Sequence, residues 1–334
     1  MFNKKLTRRN FLAVSFLMLI CTKKIYANKA ILLPKFNFDL TPHENNGYVL
    51  LDFDTGMSNF QYHAFDELKR EMYTLQHSVF NRHGGKITRF SMDGFEKLNL
   101  IDYQKYDLRI GHQMLSIENL DNGNSKLWVA KGPLESLSVL RFSYSSLSGP
   151  QLIEEFELFD PTEFGDFLVT GCLSYDQSKL IVRGRSRENS RFKGKNCIAI
   201  FDLKKLIKHG PGKVWHLVNK IWTYEHYSHH DKLYSNVNPQ SIVSDGYYVY
   251  LIFGPLDINL PNYIRQYTLD GDLIYQTPEL KVGYHIARNL SEGVANEFEG
   301  AQFLRLSPDT SPVLTIGYVR GGPKYYKGIY VINP

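Results

Sequence analysis

Short apolar runs recur along most of this chain, separated by Gly, Asp, Asn or Pro. Lys126–Ala130, Val139–Tyr144, Lys179–Arg183, Cys197–Phe201, Tyr247–Phe253, Tyr263–Leu269, Val313–Val319 and Gly328–Ile332 are the clearest. Runs of this length, bounded by turn formers and rich in β-branched and aromatic residues, predict strands. Helical patterning is confined to Asp66–Met72, which predicts a short helix, and Leu203–Lys208, which predicts a turn. The pattern therefore predicts an all-β solenoid, barrel or propeller.

The runs repeat as a unit. A small or polar residue opens a strand; a turn leads to a second strand ending in Gly or a base; a loop then leads to a third strand with Tyr or Phe and a nearby Asp. Gly171–Gly184 leads in this way to Ile198–Asp202, and Gln240–Gly254 to Ile264–Gly271. Glu299–Arg305 leads through Val313–Gly322 to Gly328–Ile332, and His112–Glu118 through Lys126–Gly132 to Val139–Tyr144. A degenerate copy runs from Gln76 to Gly94. Five small sheets arranged radially make a five-bladed β-propeller, which hides most sheet edges. A β-sandwich with coincidental turns is the competing architecture. Ring closure is expected from a strand near Tyr48–Phe53 pairing with the C-terminal run.

In a propeller the innermost strand of each blade starts at one mouth of the central channel. The expected starts are Gln76/His77, His112/Gln113, Gly171, Gln240 and Glu299. Second strands end in Lys131, Arg183 and Arg320, each near a Gly. His77, Gln113, Lys131, Arg183, Gln240, Glu299 and Arg320 are thus the candidate ligand-binding residues. Cations and amide or imidazole donors around one rim suit a polymer bearing phosphate or carboxylate. The competing reading is that these polar starts satisfy one another in a water-filled channel.

Two loops add chemistry. Trp222–Tyr234 is dense in aromatics and imidazoles, and aromatic faces stack on sugar rings. Its His226, His229, His230, Glu225 and Asp231 match no metal-binding spacing, so no metal site is expected. Arg183–Arg191 is a basic loop that either steers anions or is simply solvated. His112, His226 and Tyr227 are the candidate acid–base residues if the chain is catalytic. No Gly-x-Ser-x-Gly, phosphate-loop, dinucleotide or His-Glu-x-x-His motif is present, and nothing identifies a cofactor.

Composition sharpens this picture. The chain has 334 residues and a formal net charge of +5. Six of its cations, Lys4, Lys5, Arg8, Arg9, Lys23 and Lys24, lie in residues 1–28 with no acid, so the remainder carries +5 less 6, or −1. The basicity belongs to the N-terminus, and nothing points to nucleic acid. The N-terminus reads as an export signal over residues 1–30: Arg8-Arg9 before Phe11-Leu12, an apolar run to Ile20, and Ala27 or Ala30 as exits. The arginine pair has the form read by the twin-arginine translocase, with an ordinary secretory signal as the alternative. Cys21 follows Ile20 rather than a small residue, which argues against lipidation. The mature protein, residues 31–334 with clear repeats from about 76, is expected to be periplasmic or secreted, without a membrane span. Cys172 and Cys197 remain in it, as a disulfide or as two buried thiols.

Gly111-His112-Gln113, Gln240–Tyr250, Ile264–Gly271, Glu297–Gly300 and Ile316–Gly322 resemble one five-bladed propeller family. That family includes the teichoic-acid biosynthesis protein C type, receptor-binding proteins of some staphylococcal phages and helveticin J-type bacteriocins. The resemblance covers roughly Gln76 to Pro334 and places His112, Gln113, Gln240, Glu297 and Glu299 at blade starts. It implies binding of cell-wall glycopolymers such as teichoic acid, and it supplies no catalytic set. The leading expectation is an exported propeller that binds an anionic polysaccharide or glycopolymer. The rivals are a lyase or phosphodiesterase that cleaves such a polymer, and a bacteriocin-like surface-recognition protein.

Overall fold

The computed structural model describes residues 47–52, 58–78, 85–92, 98–106, 110–132, 136–165, 169–224, 239–254, 262–277, 280, 296–320 and 326–332. All of these fall in one unit, Phe38–Pro334. The chain enters through β1 (Gly47–Asp52) and then builds antiparallel sheets in sequence order. Blade I is β2 (Ser58–Asp66), β3 (Glu71–Ser78), β4 (Gly85–Ser91) and β5 (Asn99–Tyr106). Blade II is β6 (Ile110–Asn119), β7 (Ser125–Lys131), β8 (Ser138–Ser143) and β9 (Gln151–Glu157). Blade III is β10 (Thr170–Leu173), β11 (Lys179–Arg185), β12 (Asn196–Asp202) and, after an insertion, β14 (Val218–Tyr224). The insertion holds α1 (Leu203–His209) and β13 (Gly212–Lys213); β13 pairs in parallel with β9 and covers the outer edge of blade II. Blade IV is β15 (Ser241–Ser244), β16 (Tyr248–Phe253), β17 (Tyr263–Thr268) and β18 (Leu273–Gln276). Blade V is β19 (Asn296–Leu304), β20 (Val313–Arg320), β21 (Tyr326–Ile332) and, as its outermost strand, β1.

The inner strands β2, β6, β10, β15 and β19 pack against one another in that order, and β19 returns to β2. The fold is therefore a closed five-bladed β-propeller. Its closure is the expected one: Gly47 of β1 pairs with Ile332 of β21, and Asp52 with Gly328. Apolar layers fill the seams between blades. Trp128, Phe156, Leu180 and Phe201 lie in one core cluster, and Ile87, Leu115, Val129 and Phe142 in another. Middle strands are buried on both faces because blades stack on either side of them; in β16, Val249 to Phe253 are all buried. Outer strands face solvent, as Leu273–Gln276 of β18 does along its whole length.

Four expectations are corrected or resolved. Asp66–Met72 is not a helix but the end of β2, a four-residue turn and the start of β3, with Asp66 opposite Glu71. Asp66 Oδ1 accepts from Lys69 N at 3.1 Å and Arg70 takes φ 53°, which closes the turn and buries Phe65 and Met72 in the core. Gln76-His77 does not open the innermost strand of blade I; it ends the second strand, because Ser58–Asp66 supplies the inner one. Cys172 and Cys197 are free buried thiols, not a disulfide. They belong to different core clusters, and burial pushes the Cys197 thiol up to about 12. Leu203–Lys208 forms α1, whose N-cap Asp202 accepts from Lys205 N at 2.9 Å.

At the mouth where the inner strands end, a half-buried carboxylate ties three blades. Glu67 Oε1 accepts from Arg305 N of blade V at 2.6 Å, and both its oxygens face Tyr175 Oη of blade III at 3.1 and 3.0 Å. Burial raises the Glu67 carboxyl above its usual range, with these hydrogen bonds opposing.

Candidate functional site

The opposite mouth, where the inner strands begin, is the candidate site. Each inner strand brings one polar side chain to it: Gln61 from β2, Gln113 from β6, Thr170 from β10, Gln240 just before β15, and Glu299 from β19. Three of these positions are created by irregular pairing. Gln61 is the extra residue of a bulge between Phe60 and Tyr62. Gln113 sits in the register shift between Ile110 and Leu115 and takes a left-handed φ of 63°. Glu299 and Gly300 form the bulge between Phe298 and Ala301. At Gly300 φ is 78° and a Cβ would lie 2.8 Å from Tyr62 Cγ, so only glycine fits this turn against blade I. Bulges re-aim side chains, and non-glycine residues at positive φ concentrate at functional sites.

The ring is internally bonded. Gln113 Nε2 donates across the channel to Gln240 Oε1, and Thr170 Oγ1 donates to Gln113 Oε1 at 3.4 Å. Gln61 Nε2 donates to Glu299 Oε1 at 3.5 Å across the blade I–blade V boundary. Below the ring, Tyr62 Oη bonds to Ser241 Oγ at 2.8 Å and donates to Ile242 O at 3.1 Å, joining blades I and IV. Burial raises the Tyr62 phenol, which stays neutral.

The expected cations behave differently. Arg183 is 5% exposed, and its Nη1 donates to Pro239 O at 3.1 Å, fixing the backbone beside Gln240. Lys131 is half-exposed at the end of β7 and pairs with both Glu155 oxygens at 2.7 Å. Arg320 ends β20 and His77 lies near the end of β3, both at this mouth, as the pairings Asn296–Arg320 and Asn59–His77 show; their side chains are outside the described residues. His112 lies in β6 with its side chain outside that set, and His226 and Tyr227 fall outside it altogether. The structure thus joins Gln113 to Gln240, with Arg183 as a support, sets Glu299 against Gln61 at the same mouth, and turns Lys131 toward Glu155. Gln61 and Thr170 were missed: Gln61 is hidden in the alternation Phe60-Gln61-Tyr62, and Thr170 precedes an expected start by one residue.

The basic loop between β11 and β12 leaves at the same mouth, since Arg183 pairs with Thr170. Arg187 Nε donates to Pro161 O at 3.1 Å, and Arg191 pairs with Glu163 at 2.9 Å over the Phe192 ring. Arg185 and Lys193 are exposed. No group of three or more His, Cys, Asp or Glu suited to a metal ion occurs among the described residues. No helix among them is long and apolar enough to cross a membrane.

Fold and site together define a closed five-bladed propeller that presents a polar ring at one mouth. Residues 59–331 match the family described as the phage 5-bladed beta propeller receptor binding platform domain, and the chain belongs to that family. Among solved structures it is similar to the tail fiber of Staphylococcus aureus phage P68, at 19% identity and a TM-score of 0.59. That match covers 87% of this chain and 54% of the tail fiber, so the chain corresponds to about half of that protein's length. The catalytic domain of the Coprinopsis cinerea GH62 alpha-L-arabinofuranosidase matches at 10% identity and a TM-score of 0.49, over 85% of this chain and 95% of that one. No curated protein is significantly similar in sequence.

Proposed function

We propose that this propeller binds a cell-surface receptor at its polar mouth, and that the receptor is an anionic glycopolymer of the teichoic-acid kind. The observation that carries the reading is the polar mouth, where the part-exposed amides of Gln61, Gln113 and Gln240 are backed by the buried Thr170 and Glu299, in a chain of the receptor-binding propeller family. Amides both donate and accept, which suits the paired hydroxyls of a sugar or alditol. Glu299 makes the mouth itself unsuited to phosphate. Attraction for the charged part of the polymer falls to the outer loop with Arg185 and Lys193. The sequence resemblance to teichoic-acid-related propellers supports the same class, and the arginine-pair signal supports export by the twin-arginine translocase to the periplasm or the exterior.

The test is to incubate the mature protein with purified teichoic acids and a panel of anionic glycans, following chain length and band retardation on gels. Binding without shortening is expected. Gln240→Ala is expected to weaken it about 3- to 10-fold, the equivalent of one lost hydrogen bond. Shortened chains would replace this reading with the lyase or phosphodiesterase one, and no retardation with any polymer would remove it.

A further inference from the structure

We infer that the seam between blades V and I is an acid-operated gate on the binding mouth, with His63 as its trigger. The inference rests on the mouth being the binding site.

His63, on β2, is fully buried. Its Nε2 lies 2.9 Å from Thr315 Oγ1 of blade V. Thr315 Oγ1 donates its single proton to Gln302 O at 2.8 Å, so it can only accept from His63. The hydrogen-bond network therefore assigns the proton to Nε2 and leaves Nδ1 as a lone pair. Nδ1 has no hydrogen-bond partner in the protein among the described residues. The rings of Phe60, Tyr62 and Phe65 lie 6.2, 6.3 and 5.3 Å from the imidazole.

The rest of this face of blade I is equally ill-satisfied. His63 pairs with Thr74, and Thr74 with Thr88, so all three share a face, with Gln76 two residues along. Gln76 Oε1 and Thr88 Oγ1 are also buried without a protein partner. Each such atom raises the free energy of the closed seam relative to a hydrated one.

A second proton on His63 would place a full charge at Nδ1. The titratable neighbours do not compensate it. On β2, Tyr62 turns to Ser241, and Asp66 is held by Ser125 and Lys69. On β3, Glu71 is held by Arg89 and Tyr73. On β19, Glu299 accepts from Gln61, and β20 offers Tyr318 and no charge among its described side chains. Burial alone lowers the imidazole from 6.5 to about 3. An opened seam hydrates the ring and restores its ordinary basicity. Below pH 6.5, each unit of acidification then multiplies the ratio of open to closed seam about tenfold, or about 100-fold by pH 4.5. The mouth feels this directly: Gln61 precedes His63 by two residues on β2, and its contact with Glu299 spans the same seam.

The test compares wild type with His63→Gln, whose amide can still donate to Thr315 but does not titrate in this range. Backbone hydrogen exchange of β2 and β20 is followed from pH 7.5 to 4.5, after correction for intrinsic rates, with β11 and β12 as internal controls. The expected result is a roughly 100-fold loss of protection in the wild-type seam, little change in the controls, and no such loss in the variant. Equal pH dependence in both proteins would overturn the gate. Should the variant not fold, imidazole NMR of the wild type decides. His63 must stay neutral well below pH 6.5 and gain its proton in step with seam exchange; titration near 6.5 with protected seam amides would overturn the gate. In parallel, wild type pre-bound to poly(glycerol phosphate) at pH 7.5 should release it by pH 4.5 while the variant retains it. Retention by both would overturn the link to the mouth. No binding at pH 7.5 would instead count against the functional reading, with exchange still deciding the seam.

Discussion

Removing Glu118 is expected to be among the most damaging single changes in blade II. Its carboxylate accepts from Trp128 Nε1 at 2.8 Å and from Arg141 Nε and Nη2 at 2.7 and 3.0 Å. The Glu118 and Arg141 side chains are 8% and 9% exposed, so solvent screening is slight. Arg141 also bonds Glu154, and its guanidinium lies 5.9 Å from the centre of the Trp128 ring. Glu118→Leu leaves a buried guanidinium and an indole N–H short of an acceptor, at a cost of about 3–5 kcal/mol. Arg141→Leu should cost a similar amount by stranding the carboxylate. The double variant removes both charges and leaves mainly the Trp128 N–H unsatisfied, worth about 1–3 kcal/mol. Urea unfolding of the four proteins gives the coupling directly. A double variant far more stable than the sum of the single losses is the expected outcome. Additive losses, or a Glu118→Leu loss below about 1 kcal/mol, would refute the view of this triad as a desolvated unit.

Two further outcomes follow from the ring. Deleting 47–52 removes the outer strand of blade V and should lower the stability of the whole propeller in a single cooperative transition, read by circular dichroism during thermal unfolding; a loss confined to blade V in hydrogen exchange would refute this. Glu67, with its carboxyl raised by burial, binds a proton more readily folded than unfolded, so its contribution to stability falls as pH rises from its ordinary 4.5 through the raised value. Wild type should therefore gain stability relative to Glu67→Gln on going from pH 7 to about pH 4.5, and parallel urea-midpoint curves for the two proteins would contradict it.

The repeats legible in the sequence are those the fold buries on both sides. Leu127–Ala130, Leu180–Val182 and Val249–Phe253 read as apolar runs because neighbouring blades cover both of their faces. Outer strands carry no such signal: Asn99–Tyr106 and Gln151–Glu157 mix exposed Leu and Ile with charges, so nothing in their patterning marks an edge. The first inner strand was hidden for another reason. The bulge at Gln61 breaks the two-residue period within Ser58–Asp66 and shifted the apparent blade start to Gln76. Gln113, Gln240 and Glu299 stand at repeat starts in the sequence, although the pairing at Gln113 and Glu299 is irregular. The partners of site residues were not legible there, because whether Lys131 faces a ligand or Glu155 depends on a strand two places away in the sheet.

The pairing of Gly47 with Ile332 gives the protein a topology without natural ends. β1 and β21, the first and last of the described strands, are neighbours in one ladder, so the order of synthesis and the order of assembly cannot coincide. Four blades can form as the chain lengthens, but β1 must wait for β21 before it has a place. A circular permutant that joins these two strands by a short linker and opens at the exposed turn after Ser145, between β8 and β9, would keep every strand pairing while moving that wait from blade V to blade II.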